Sequence, residues 1–120
     1  MGGEKVWLSR CGGYAPEELL RQMEEAFTAL GVWEEIRPGM KVVLKPNLVM
    51  SSKPEAAIAT HPALVAAVGK CVQKAGGEVL IALKIRELAS TGMPFKRVVR
   101  EVEQYIYQLQ TLFVLESLEN

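Results

Sequence analysis

KVVLKPN, residues 41–47, decides the fold. Its centre, Val42-Val43-Leu44, is a continuous apolar run too short for a helix and bracketed by Lys41 and Lys45. Such a run suits a strand covered on both faces, as in a parallel sheet, rather than one with a wet side. Pro46 restricts the residue before it to an extended conformation, so the strand ends with the Lys45 side chain at its rim. Arg37-Pro38-Gly39 supplies the turn that leads in.

Upstream, KVWLSR at residues 5–10 alternates apolar Val6 and Leu8 with polar neighbours and runs into Cys11-Gly12-Gly13, the pattern of a short first strand entering a turn. Pro16 then sits where a first helical turn tolerates it, and Glu17 and Glu18 complement the helix dipole. Leu19, Leu20, Met23, Ala26, Phe27 and Leu30 recur at helical spacing up to Gly31. Downstream, residues 62–75 form a second helix with Leu64, Val65, Val68, Cys71 and Val72 on one stripe, and Thr60 is the expected amino-terminal cap. Gly76-Gly77 ends it, and EVLIA at 78–82 reads as a third strand.

Strand, helix, strand, helix, strand is an α/β fold: a small three-stranded, mainly parallel sheet with covering helices and right-handed crossovers. Residues 83–89 are compatible with a short helix, 90–94 with a break, and 95–118 with a long helix. That last helix carries a broad apolar face through Val98, Val102, Tyr105, Ile106, Leu109 and Phe113, so it needs a partner surface. Its own sheet is one candidate and a second copy of the chain the other; a homo-oligomer formed through this C-terminal helix is expected.

At 120 residues the chain has the length of one domain, 1–120. Fourteen basic and fourteen acidic side chains cancel, leaving no global field for nucleic acid or an anionic membrane, so neither is an expected partner. The amino terminus has no secretory pattern and no stretch of roughly 18 apolar residues occurs, which points to the cytoplasm. Cys11 and Cys71 stand far apart without CxxC spacing and read as free thiols rather than a disulfide or metal motif.

Chemistry is expected around the loop 45–60. Its central part, PNLVMSSKPEAAIA, is longer than a strand-to-helix connection usually is, and it leaves the sheet at the edge where open parallel sheets bind ligands. Lys45 offers a positive charge, Asn47 an amide, and Thr60 with the first amides of the second helix a cradle for a small anion. His61, the sole histidine, is able to donate a proton there or bind metal. The plainer alternatives are a solvated strand-end lysine, a turn-forming asparagine, a capping threonine and a structural histidine. Spacing yields no dyad, triad or metal cluster.

KVVLKPN, followed by Pro54-Glu55, Thr60-His61-Pro62 and then Ala75-Gly76-Gly77 before a strand, resembles the amino-terminal part of the family catalogued as domain of unknown function 362. With the opening strand and helix the resemblance covers residues 4–82. It implies that Lys45, Asn47, Thr60 and His61 belong to the family's site. Members are often joined to ferredoxin-like segments, which implies redox or cluster-associated work. The chain departs from the family after the third strand, where a GDSPG-like turn is replaced by Ala82-Leu83-Lys84-Ile85. No cofactor is expected in this chain, and a 4Fe-4S cluster only through a partner or a further family segment. The expectation is therefore a truncated or divergent family member that binds a small anionic ligand at the loop 45–60 without a complete catalytic site. Its alternatives are a redox or iron-sulfur-associated enzyme component completed by a partner, and a homodimerising interaction module.

Overall fold

The structure is a computed structural model that describes residues 3–50, 58–87 and 94–119. Three helices, α1 (Pro16–Leu30), α2 (Pro62–Lys74) and α3 (Phe95–Glu119), accompany five short strands: β1 (Lys41–Leu44), β2 (Asn47–Met50), β3 (Ile58–Ala59), β4 (Glu78–Ile81) and β5 (Lys84–Glu87). The class is α/β, as the sequence implies.

β1 and β4 pair in parallel, and so do β2 and β5, while β3 adds to β2 antiparallel. The register is shared. Every residue of β1 and of β2 pairs with the residue 37 positions later. The two sheets are thus one long parallel ribbon, interrupted for two residues at Lys45-Pro46 and Ala82-Leu83. Pro46 accounts for the interruption, because it has no amide to donate into the ladder. The neighbouring bonds hold on either side of it: the Ala82 amide donates to the Leu44 carbonyl at 2.9 Å and the Lys84 amide to the Pro46 carbonyl at 3.0 Å.

Several expectations are corrected by this arrangement. The expected three-stranded sheet is a two-stranded parallel sheet beside a three-stranded mixed one. Residues 84–87, expected within a short helix, form β5, held by the ladder that β2 offers across the break. The long loop contains β2 and β3 at its ends, and its middle, 51–57, lies outside the described residues, as does most of the expected break at 90–94. Residues 5–10 are not a strand. They pair with no strand among the described residues, and Val6 is 88% and Leu8 91% exposed, because a short strand-like segment forms a strand only where a partner strand takes up its backbone bonds. The first of the two expected crossovers, which was to leave that strand, is therefore not formed. The β1–β4 sheet is also covered on one face only, since Val43 remains 47% and Leu80 42% exposed.

α1 ends at Gly31, whose positive φ of 70° lets the Val32 amide return to the Phe27 carbonyl at 2.8 Å. α1 lies along α2 through two contacts, Leu19 on Ala63 and Ala67, and Phe27 on Cys71 and Val72. The second also reaches Val42 and Val79, so both helices sit on the same face of the ribbon. α3 packs within the chain, with Tyr105 and Leu109 buried against Leu48 and Val65. Farther along α3, the Phe113 ring lies directly over Gly69 of α2.

A Cβ at Gly69 would stand 2.6 Å from Phe113 Cζ, closer than side chains tolerate. Gly69→Ala is therefore expected to destabilise the fold by about 1–3 kcal/mol, the usual cost of overpacking. A thermal melt of the variant checks this, and pairing it with Phe113→Leu should recover part of the loss.

Candidate functional site

The carboxyl end of β1 opens into a recess of about 290 Å³. Lys45 and Thr60 stand on its polar side, and Val43, Leu64, Val65 and Val68 form apolar walls. Lys45 is exposed because Pro46 holds it extended at the strand end. Thr60 is placed by its backbone: its amide donates to the Asn47 carbonyl at 3.0 Å, and its carbonyl accepts from the buried Tyr105 hydroxyl. Burial raises the Tyr105 phenol above its ordinary range, so it remains a donor to Thr60 well into alkaline solution.

His61, not the expected Thr60, caps α2. Its Nδ1 accepts from the Ala63 amide at 3.1 Å. An imidazole nitrogen that accepts carries no proton, so the ring proton lies on Nε2. The opposite demand on the helix start is already met, because Pro62 has no amide and the Leu64 and Val65 amides donate to the His61 carbonyl at 3.0 and 3.3 Å. The expected amide cradle for an anion is corrected accordingly: the first turn of α2 satisfies itself.

The His61 ring stacks on Tyr14, with centroids 3.9 Å apart and planes 7° from parallel. Both line a different recess, of about 380 Å³, toward Tyr107, Gln108 and Thr111 of α3. The four residues singled out in the sequence are thus divided. Lys45 and Thr60 share the recess at the β1 end, His61 faces the α3 side, and Asn47 is exposed on β2, joined to Thr60 through its backbone alone. Tyr14 and Tyr105 were the residues that sequence reasoning missed. Tyr14 had a weak signal, an aromatic residue directly after the glycine turn at 11–13, and Tyr105 was hidden among the apolar positions of α3.

The donor set does not fit a 4Fe-4S cluster, which takes four thiolates where the chain has two cysteines. Cys11 is exposed and Cys71 buried, and among the described residues no three His, Cys, Asp or Glu side chains gather to hold a metal ion. No helix of the described residues is long and apolar enough to cross a membrane.

Comparison with known proteins places this geometry in a family. The model of the domain of unknown function DUF362 matches residues 42–109, more than half of the chain. The chain belongs to the DUF362 family. The match begins within KVVLKPN and runs through β5 into α3, farther than the resemblance at 4–82 reaches, and it does not take in residues 4–41 with α1. A thylakoid-associated protein of Synechocystis sp. (strain ATCC 27184 / PCC 6803 / Kazusa) is 37% identical over 76 residues, 62% of this chain and 24% of the relative. The DUF362 chain therefore spans about a quarter of the length of the curated relative it matches. No solved structure matches it.

Two outcomes follow for this DUF362 chain. His61→Ala should remove the cap of α2 and cost about 0.5–2 kcal/mol in a denaturant titration, with His61→Asn retaining most of the stability. The Cys71 thiol is pushed up from its ordinary 9.0 to about 11, chiefly by burial and secondarily by Glu24. A thiol raised in the folded state favours folding while it stays protonated. That contribution is complete below pH 9.0 and is lost as pH rises toward about 11. Stability measured across this window should fall, and Cys71→Ala, compared with itself across the same window, should show a shallower decline.

Proposed function

We propose that this DUF362 chain binds a small anionic ligand at the rim formed by Lys45 and Thr60, and that it does so without a complete catalytic site of its own. The observation that carries the reading is the position of Lys45. It is an exposed cation fixed at the carboxyl end of β1, where Pro46 interrupts the parallel ribbon and opens it to solvent. Around it the recess joins one polar side to apolar walls from β1 and α2. A carboxylate or phosphate paired with Lys45 would gain a charge-assisted hydrogen bond, and a short apolar body would rest on Leu64 and Val68. Thr60 adds a hydroxyl beside the same recess.

The limits of the site support the second half of the proposal. α2 has no unspent amide at its start, and His61 commits Nδ1 to the cap, so neither joins Lys45 as a ready acid, base or anion cradle. After β4 the ribbon continues as Ala82, Leu83 and β5, where the family resemblance leads one to expect an acidic glycine-containing turn. A rim with one cation and one hydroxyl suits binding and orientation rather than bond breaking.

Titration with inorganic phosphate, a mononucleotide and a short-chain carboxylate, followed by NMR at Lys45 and Thr60, tests the proposal. Chemical-shift changes that saturate, and that Lys45→Met weakens by ~10-fold or more, are the expected result, since the charged contact supplies most of the affinity. No change with any of the three probes at millimolar concentration would remove the binding claim.

A further inference from the structure

Residues 5–10 have the alternation of a strand, yet their apolar side chains are the most exposed large ones in the described chain: Val6 is 88% and Leu8 91% exposed. The segment is not adrift, because the Gln22 side chain of α1 donates to the Arg10 carbonyl at 2.8 Å and accepts from the Ser9 hydroxyl. A strand-like segment held out from the body needs an edge to pair with. Among the described residues one is open. β4 pairs with β1 on one side only, and at its end a groove of about 410 Å³ is lined by Ile81 and Leu83 and the α3 residues Ile106 and Phe113.

We infer that residues 5–10 of a second copy of this chain add to the open edge of β4 as a parallel strand. Side chains alternate along a strand, so Val6 and Leu8 share one face. Placing them on the face of Val79 and Ile81 sets Val6 beside Val79 and Leu8 beside Ile81, at the mouth of the apolar groove. The same register sets Lys5 beside Glu78, an opposite-charge pair, and Trp7 beside Leu80, which is otherwise exposed. At the outer edge of β1 the equivalent register sets Lys5 against Lys41, a like-charge pair that is destabilising.

At the β4 edge, the handedness of the fold decides between the chain's own segment and another's. α1 and α2 lie on the same face of the β1–β4 sheet, because Phe27, Cys71 and Val72 pack together on Val42 and Val79. If the chain's own residues 5–10 paired with β4, α1 would cross toward β1 and α2 back toward β4 over that one face. One of the two crossovers would then be left-handed, which parallel folds almost never permit. A second copy brings no such crossover. Exchange of the segment both ways gives a two-fold dimer in which each chain supplies and receives one strand.

Sedimentation of the full chain tests the inference through charge reversal. The wild type is expected at twice its 13.2 kDa. Leu8→Asp should weaken the dimer by ~10-fold or more, because it places a charge where an apolar side chain is buried. It should leave the thermal melt of the monomer unchanged, Leu8 being exposed there. Glu78→Lys should weaken the dimer as well, and Glu78→Lys combined with Lys5→Glu should restore it. A wild type that sediments as a monomer, or a dimer indifferent to Leu8→Asp and to the charge exchange, overturns the inference. So does hydrogen-exchange protection of the Val6 and Leu8 amides in a monomer, which would place the strand in its own chain.

Discussion

The structure depends on one register. Residues 41–50 lie beside residues 78–87 at a constant offset of 37, and α2 is the part of the intervening chain that makes this possible by carrying the backbone back to the start of the ribbon. A parallel pair has no tight turn to fix its alignment. Here the ends are tied instead: the Gly39 amide donates to the Gly76 carbonyl at 2.8 Å and the Glu78 amide to the Met40 carbonyl at 2.7 Å, so the two turns that start the strands hold each other. Past the interruption, the same alignment sets β5 beside β2 without any signal of its own.

Pro46 gives the candidate site its place. A proline inside a ladder removes one donor, and its ring keeps the preceding residue extended. The first effect opens the ribbon between Leu44 and Asn47; the second aims Lys45 outward at that opening. The walls then come from α2, which must begin close by because the Thr60 amide is bonded to the Asn47 carbonyl. Tyr105 secures the same point from the other side. Its hydroxyl reaches the Thr60 carbonyl from α3, so the helix that buries Leu48 and Val65 also holds the junction between β3 and α2.

What was legible in the sequence followed from strong local signals. Helical spacing with Pro16 and Gly31 marked α1, Pro62 and Gly76-Gly77 bracketed α2, and the apolar runs at 42–44 and 79–81 marked the central pair. The failures have a common physical origin, the dependence of a short strand on its partner. KVWLSR has the pattern of a strand but pairs with no strand among the described residues, whereas Lys84–Glu87 has a weak pattern and is a strand because β2 lies alongside. The family was legible in KVVLKPN and Thr60-His61-Pro62, and the matched stretch takes in α3 as far as residue 109, although its sequence offered no motif.

The division of the site follows from the same competition between local and distant partners. Thr60 and His61 adjoin in sequence, and either could have capped α2. His61 does so because Nδ1 is within reach of the Ala63 amide while its ring face rests on Tyr14, which rewards that orientation twice. Thr60 is thereby left at the recess with Lys45, and its backbone is taken up by Asn47 and Tyr105. The cap that stabilises α2 thus removes the histidine from the lysine's recess. That choice explains why three of the four residues grouped by sequence spacing resolve into a cation and a hydroxyl on one side of the helix start and a stacked imidazole on the other, with Asn47 left exposed on β2.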